Sequence, residues 1–409
     1  MSIFKKIKPI DLFITCTFAI FSIICIYVYA SRDLYPMDFD GNRIICGYVL
    51  NGINPLKHIN ETSLIDYLGV VPYGYGNLPY GLLLGNLFYF GFFNYTQALL
   101  LYKILTVIFI VITLVLAKRY FVKHNYGNRI YYYFVLFTLL SINIFGSYRI
   151  GNIGHIICML ILIMIFFIDE NTIISGIALS LAMIKPQVAF PFVITLLFMK
   201  RIKVVMLAAA IDVLASIICA MLVKESVISM FLDFFSAQVG LGTTSYGILT
   251  MFFPKNYYEA LFPSMTCGMI ILITSHIFTK EINNTLCIFV FPTLVANIWS
   301  YSWNSDYYIL ILPTIVFLYL YFRNDSKSRI NIFIKTFLLT NVYFLLFIWA
   351  ARRLFRGYDF LPPFLGGLYK DKGYIERIVF SNTITYFMIV FCILISIFVF
   401  RYYHKKEII

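Results

Sequence analysis

Charge is what this chain has least of. Of its 409 residues, 12% are Asp, Glu, Lys or Arg, against 61% that are hydrophobic. A typical soluble domain carries about twice that charged share. The shortage excludes a disordered chain, a coiled coil and an ordinary cytosolic enzyme, and it points to a polytopic membrane protein. Long polar stretches are missing as well, so nothing is set apart as a separate soluble domain, and residues 1–409 read as one transmembrane domain. Acids are the scarcer sign, 19 against 32 Lys and Arg. The five histidines, at 58, 124, 155, 276 and 404, form no HExxH pair. The eight cysteines form no CxxC zinc pattern and no disulfide framework. Seven of them (Cys16, Cys25, Cys158, Cys219, Cys267, Cys287 and Cys392) lie in apolar segments, and Cys46 falls in an expected outside loop. No metal or cofactor is expected on these grounds. Aromatic residues are abundant at 19%. They serve lipid faces, membrane interfaces and substrate grooves alike, so their number alone decides nothing.

What is present is a succession of apolar runs, near 10–30, 97–117, 130–146, 151–168, 172–184, 187–199, 203–222, 263–279, 282–299, 306–322, 332–350 and 381–400. Read as helices, they predict an all-α protein of about twelve spans. An outer-membrane barrel would need alternating strands of about ten residues. The piece 81–93 is too short to span and reads as re-entrant. The first run follows Lys5, Lys6 and Lys8 but lacks a small-x-small cleavage site, so it reads as an uncleaved first span. The basic residues cluster in short runs between the apolar segments. That pattern fits membrane orientation and anionic lipid, not nucleic acid. With the N-terminus inside, 18 basic residues fall on the cytoplasmic side and 12 outside. Twelve spans then put both termini in the cytoplasm. The stretch 172–199 must return to the side it starts from, because Glu170 and Lys200 share a side. The Lys185-Pro186-Gln187 break supplies the reversal, since proline removes a backbone donor and disfavours helix at the residue before it. Two short helices with Lys185 at the turn near the outer side are expected.

Three outside loops follow, 31–80, 223–262 and 351–380. The first carries Asp38-Phe39-Asp40, which admits three readings. It can hold a metal, as in the DxD of soluble glycosyltransferases, although that fold needs a nucleotide-binding sheet. It can supply a general base near the outer interface. It can also be a helix cap or a salt bridge to Arg43. The second loop holds a flexible polar stretch, Gln238 to Gly247, of little diagnostic value. The third concentrates Arg352, Arg353, Arg356, Lys370, Lys372 and Arg377 against the orientation bias. An anionic ligand would hold them there, because the planar guanidinium fork suits phosphate oxygens; anionic headgroups would do the same. Lys185 in an apolar stretch needs a partner, an aqueous cavity or a reach to the interface. A phosphate would satisfy it. Arg149 faces the same side next to the turn Gly151-Asn152-Ile153-Gly154. Asp306, after Trp299 and Trp303, either caps a span or lines the cavity. Asp212 and Lys103, inside other spans, are candidates to pair with each other.

Taken in order, these features resemble the GT-C superfamily of multispan glycosyltransferases, and within it glycosyltransferase family 87. Met37-Asp38-Phe39-Asp40 and Leu50-Asn51-Gly52-Ile53-Asn54-Pro55 are similar to the family's Asp-aromatic start and Leu-x-Gly-x-x-Pro segment. Gly151-Asn152-Ile153-Gly154 stands where the family has Gly-Gln-x-Asn. Gly176 to Lys185-Pro186-Gln187 resembles its Gly-rich helix ending in Lys-Pro. Trp303-Asn304-Ser305-Asp306-Tyr307, followed by Pro313, resembles a Trp-x-x-His-Tyr motif, with Asp306 in the His position. The likeness runs from about 37 to 313.

The resemblance implies a bacterial inner-membrane enzyme that takes a hexose from a polyprenyl-phosphate sugar, with a site built from periplasmic loops. It puts the base at Asp38, with Asp40 as second choice. Lys185, Arg149, Arg352, Arg353 and Arg356 would meet the departing phosphate, and Trp303, Asp306 and Tyr307 the sugars. The acceptor would be a surface glycan such as O-antigen in lipopolysaccharide. A separate donor synthase and a flippase are implied partners. An O-antigen polymerase or ligase, and a transporter or flippase, are the rival readings. The last would favour internal repeats and midplane ionisable residues; no convincing repeat is present, and the acids collect in loops.

Overall fold

A computed structural model of the chain describes residues 16, 19, 20, 23, 37–57, 78–241, 257–279, 282, 284–299, 306–323, 330–346 and 374–404. Among these residues every regular element is helical. In chain order they are α1 (Met37–Leu50), α2 (Pro79–Leu84), α3 (Asn86–Tyr89), α4 (Tyr95–Lys123), α5 (Asn128–Leu139), α6 (Ile142–Ile150), α7 (Gly154–Phe167), α8 (Thr172–Ala182), α9 (Pro186–Phe198) and α10 (Ile202–Leu222). Then come α11 (Val227–Leu241), α12 (Tyr257–Thr279), α13 (Thr285–Ile288), α14 (Val290–Val295), a 3-10 turn (Asp306–Leu310), α15 (Ile311–Arg323), α16 (Ile330–Leu346) and α17 (Tyr374–His404).

Burial sorts these helices into inner and outer positions. Every residue of α7 from Gly154 to Phe166 is buried. A helix that is apolar all round and covered all round sits at the centre of its bundle. In α4, only 17% of the most apolar window is buried, and Leu100, Val107, Val111 and Val115 are exposed. That outward apolar face suits lipid. Helix starts are written in the sequence. Asn94 accepts from Gln97 N to cap α4, and Asn171 accepts from Ile173 N and Ile174 N to cap α8. Pro79 and Pro186 open α2 and α9, where a missing N–H costs nothing.

From α4 to α10 the chain shuttles between two ends, and side-chain contacts fix which turn lies at which end. Near the start of α4, Tyr102 reaches the carbonyls of Ser147 and Asn152, each at 3.2 Å. At the other end of α4, Arg119 meets Glu170 at 2.6 Å, just after α7. Arg201, just before α10, pairs with Asp169. The Asp169–Arg201 contact closes α8 and α9 into a hairpin, as the Lys185-Pro186 break predicts, with Lys185 at its tip. We call the two ends the tip end and the basic end. α8 packs against α7 and α10, α10 against α2, and α15 against α16.

Several expectations change. Three described segments are long and apolar enough to cross a membrane, Tyr95–Lys123, Asn128–Ile150 and Ile202–Leu222, and shorter apolar helical stretches include Gly154–Phe167, Thr172–Ala182, Pro186–Phe198, Pro263–Thr279, Tyr307–Arg323 and Met388–Tyr403. The expected first outside loop holds a 14-residue helix, α1, and Cys46 is buried in it instead of lying in a loop. The run 130–146 divides at Leu140 and Ser141 into α5 and α6. The 81–93 piece forms two short helices, α2 and α3, joined at Gly85.

Candidate functional site

The Asp38-Phe39-Asp40 motif forms the first turn of α1. Phe39 is fully buried and packs its ring near Tyr102, Tyr89 and Tyr95, with centroids 5.1, 6.0 and 6.4 Å away. The structure describes the backbone of Asp38 but not its side chain. Asp40 is buried, and its Oδ1 accepts from Arg43 Nε at 2.9 Å and Nη2 at 2.7 Å. Arg43 Nη1 also donates to the Phe93 carbonyl at 3.2 Å. Asp40 thus takes the salt-bridge reading of the motif, and it ties α1 to the turn before α4. Gly47 and Gly91 let that turn approach, since a Cβ on Gly91 would lie 2.5 Å from Gly47 N.

The second component is the turn after α6. Gly151 has φ +75°, and a Cβ there would lie 2.1 Å from Phe39 Cβ. The turn therefore sits directly against the acidic motif, at a position only glycine fills without strain. Its neighbour Asn152 is buried; its Oδ1 accepts from Gly154 N at 2.8 Å and from Lys185 Nζ at 3.0 Å. Lys185 is the N-cap residue of α9, half-buried at the hairpin tip. Three segments that lie far apart in the sequence, α1, the 151–154 turn and the tip, thus meet at one place. Arg149, half-buried in the last turn of α6, stands two residues from Gly151.

Further contacts hold the tip. Tyr80 of α2 donates its hydroxyl to the Met183 carbonyl at 3.0 Å. Trp299 Nε1 donates to the Gln187 carbonyl at 2.6 Å, and its ring stacks on Phe190 at 5.6 Å. Ser180 Oγ donates to Asp212 Oδ1 at 2.5 Å, joining α8 to α10. Asp212 accordingly finds Ser180, not Lys103, whose Nζ lies 5.7 Å from the Tyr148 ring. The first two of the expected outside loops also meet. Asn54 Nδ2 donates to Glu225 and Asp233, each at 3.0 Å, and Lys57 pairs with Glu225 at 2.8 Å. The hydrogen bond to Glu225 raises the Lys57 ammonium above its ordinary range.

Not every expected site residue joins this cluster. Tyr307 is fully buried in the main apolar core, so its ring offers no surface for a sugar. Asp306 begins the 3-10 turn, with its side chain outside the described residues, as are Trp303, Arg352, Arg353 and Arg356. The sequence reading gave Asn152 no role beyond its turn, and it assigned none to His155, Tyr102 or Asn86. His155 Nδ1 lies 3.0 Å from the Asn152 carbonyl. Buried Asn86 donates to the Cys46 carbonyl at 3.1 Å and accepts from Gly91 N at 3.2 Å. Uncharged groups in apolar surroundings give no charge anomaly to notice. The only signal was polarity inside an apolar run.

No curated protein and no solved structure matches the chain. Residues 79–276 match the model of glycosyltransferase family 87, a segment that begins after Asp38-Phe39-Asp40 and contains Asn152, Lys185 and Asp212. Residues 79–276 are thus similar to glycosyltransferase family 87, on a chain whose described elements are all helical and include three long and apolar enough to cross a membrane.

Proposed function

We propose that the chain is an inverting hexosyltransferase that moves glucose or mannose from a polyprenyl-phosphate sugar to a surface glycan such as O-antigen. The site opens on the periplasmic side of the inner membrane, and both termini are cytoplasmic. The observation that carries this reading is the meeting of an acidic motif with a cation. Phe39, between Asp38 and Asp40, packs on Gly151, and the next residue, Asn152, holds the Lys185 ammonium. Transfer from a lipid phosphate needs a base for the acceptor and a positive charge for the leaving group. Because Arg43 occupies Asp40, Asp38 is the carboxylate assigned to the base.

In this mechanism Asp38 takes the proton of an acceptor hydroxyl. That oxygen bonds to the anomeric carbon from the face opposite the phosphate. The bond between the anomeric carbon and the phosphate oxygen breaks, and its electron pair leaves with the polyprenyl phosphate. Lys185 faces that growing charge. The start of α9 adds the partial positive end of a helix, and Arg149 and one or more of Arg352, Arg353 and Arg356 extend the cationic side. In a poorly hydrated site near the bilayer such charges act strongly.

Purified protein in detergent, given short-chain polyprenyl-phosphate hexoses and a surface-glycan acceptor, tests the reading. Transfer is expected to survive EDTA and to fall by about three orders of magnitude in Asp38→Asn, with the melting temperature unchanged. Wild-type rates in Asp38→Asn would remove the base. Absence of transfer from every monosaccharide donor, by well-folded protein, would overturn the donor class.

A further inference from the structure

Beneath the tip lies a buried polar chain that the transfer mechanism does not use. Tyr102 and His155 are both fully buried, in α4 and α7. The Asn152 carbonyl lies 3.2 Å from the Tyr102 hydroxyl and 3.0 Å from His155 Nδ1. On its other side, His155 Nε2 lies 3.3 Å from Thr106 Oγ1. The two rings meet edge to face, with centroids 6.3 Å apart.

Hydrogen-bond chemistry fixes the roles. A carbonyl only accepts, so His155 Nδ1 carries the proton that faces Asn152. Thr106 Oγ1 lies beside Nε2, and its own proton goes to the Tyr102 carbonyl at 3.0 Å, which ties this side of the ring to α4. The Asn152 carbonyl thus receives two donors from below, and its side-chain oxygen receives Lys185 from above. One residue of a glycine-bracketed turn links a buried scaffold to a cation. The end of α6 sets its backbone, with Asn152 N donating to the Ser147 carbonyl at 3.0 Å, and the Tyr102 hydroxyl adds a contact from α4.

We propose that His155 and Tyr102 are positioning residues for the Lys185 ammonium, acting through the carbonyl and the side-chain oxygen of Asn152. The inference rests on the reading of Lys185 as the cation that meets the donor's phosphate. Neither ring touches the substrate. Their work is to hold the amide of Asn152 in register, so that Lys185 points at the leaving group and not toward the interface.

The test uses two variants of one side chain. In His155→Asn the amide nitrogen takes the place of Nδ1–H and keeps the donation to Asn152. In His155→Gln the amide sits near Nε2 and loses it. His155→Gln is expected to raise the KM for the polyprenyl-phosphate donor about tenfold, leave the KM for acceptor unchanged, and keep the melting temperature of the detergent-solubilised chain. His155→Asn is expected to stay within about threefold of wild type. Combining His155→Gln with Lys185→Gln is expected to add nothing beyond Lys185→Gln alone, because both act on one cation. If His155→Gln does not fold, Tyr102→Phe replaces it, with the same direction of change. Equal loss in His155→Gln and His155→Asn, or effects that multiply in the double variant, would overturn the positioning role while leaving Lys185 at the phosphate. An unchanged donor KM in Lys185→Gln would overturn both.

Discussion

At the tip end, the side chains that join one helix to the next are mostly neutral and buried, whereas at the basic end they are charged and reach water. Tyr102 and His155 have no exposed surface, and Asn152 has 9%. At the basic end, Arg119 and Lys123 contact Glu170 with 63% and 53% of their side-chain surfaces exposed. Arg201 pairs with Asp169, which also accepts from Thr285 at 3.1 Å. Buried neutral bonds hold one geometry, because each broken bond leaves a polar group stranded in low dielectric. Exposed ion pairs are individually weak, since water and salt offer both partners other company. One end is therefore suited to place an ammonium to within tenths of an ångström. The other is suited to settle which loops share a membrane side.

Two glycines with left-handed backbone, one at each end, test this contrast most severely. Gly151 has φ +75° and Phe39 against it; Gly127 has φ +84° and nothing within 4 Å. Alanine at Gly151 meets backbone strain of about 1 kcal/mol, and at Gly127, whose ψ of 155° lies where essentially only glycine sits, about 1–3 kcal/mol. At Gly151 the new methyl also displaces Phe39, adding about 1–3 kcal/mol of overpacking and shifting the acidic motif against Lys185. Gly151→Ala is expected to lose most transfer activity along with several degrees of melting temperature. Gly127→Ala is expected to lose several degrees as well and to keep its kcat. Equal activity in the two variants would remove the 151–154 turn from the site.

Next in size is the pair of acids in one motif. Asp40→Asn leaves Arg43, with 16% of its side chain exposed, without its carboxylate. A buried pair broken on one side costs about 3–5 kcal/mol, and this partly exposed one less. Asp40→Asn is expected to lower the melting temperature while folded protein still transfers, the reverse of the pattern expected for Asp38→Asn. Thermal unfolding and initial rates on the same preparations check it. Activity lost at full stability in Asp40→Asn would reassign the base.

The hairpin was legible because two strong local signals coincided, a proline that cannot continue a helix and charges of fixed sidedness at both flanks. The 151–154 turn was legible from its glycines. Helix α1 was not. Met37-Asp-Phe-Asp-Gly-Asn-Arg43 looks like a polar loop, and it becomes a helix because Phe39, Ile45, Cys46 and Val49 find cover on other segments. The pairing of Asp40 with Arg43 is a local i,i+3 contact and stood among the readings of the motif. The bond from Asn152 to Lys185 spans 33 residues, and the contacts of Asn54 with Glu225 and Asp233 span 171 and 179. Such contacts depend on how helices pack, which no local pattern encodes. The cations expected at 352, 353 and 356 lie outside the described residues.

The smallest effect is expected at the basic end, and it has a pH signature. The hydrogen bond from Lys123, and then the charge of Arg119, hold the Glu170 carboxyl below its ordinary range. A carboxyl lowered in the folded chain contributes stability that is fully present above its unfolded value, and that stability is lost as pH falls through the lowered one. The contribution is under about 1 kcal/mol, because both cations are largely exposed. Glu170→Gln should therefore lower the melting temperature by a degree or two at pH 7, and the gap to wild type should close as pH falls below the ordinary carboxylate range. Added salt should shrink the gap at pH 7 as well. Transfer rates at pH 7 should not change, since this end only fixes which loops lie together. If Glu170→Gln slowed transfer as much as the tip variants, the two ends would be coupled through α7 and α8, and the division of labour between them would not hold.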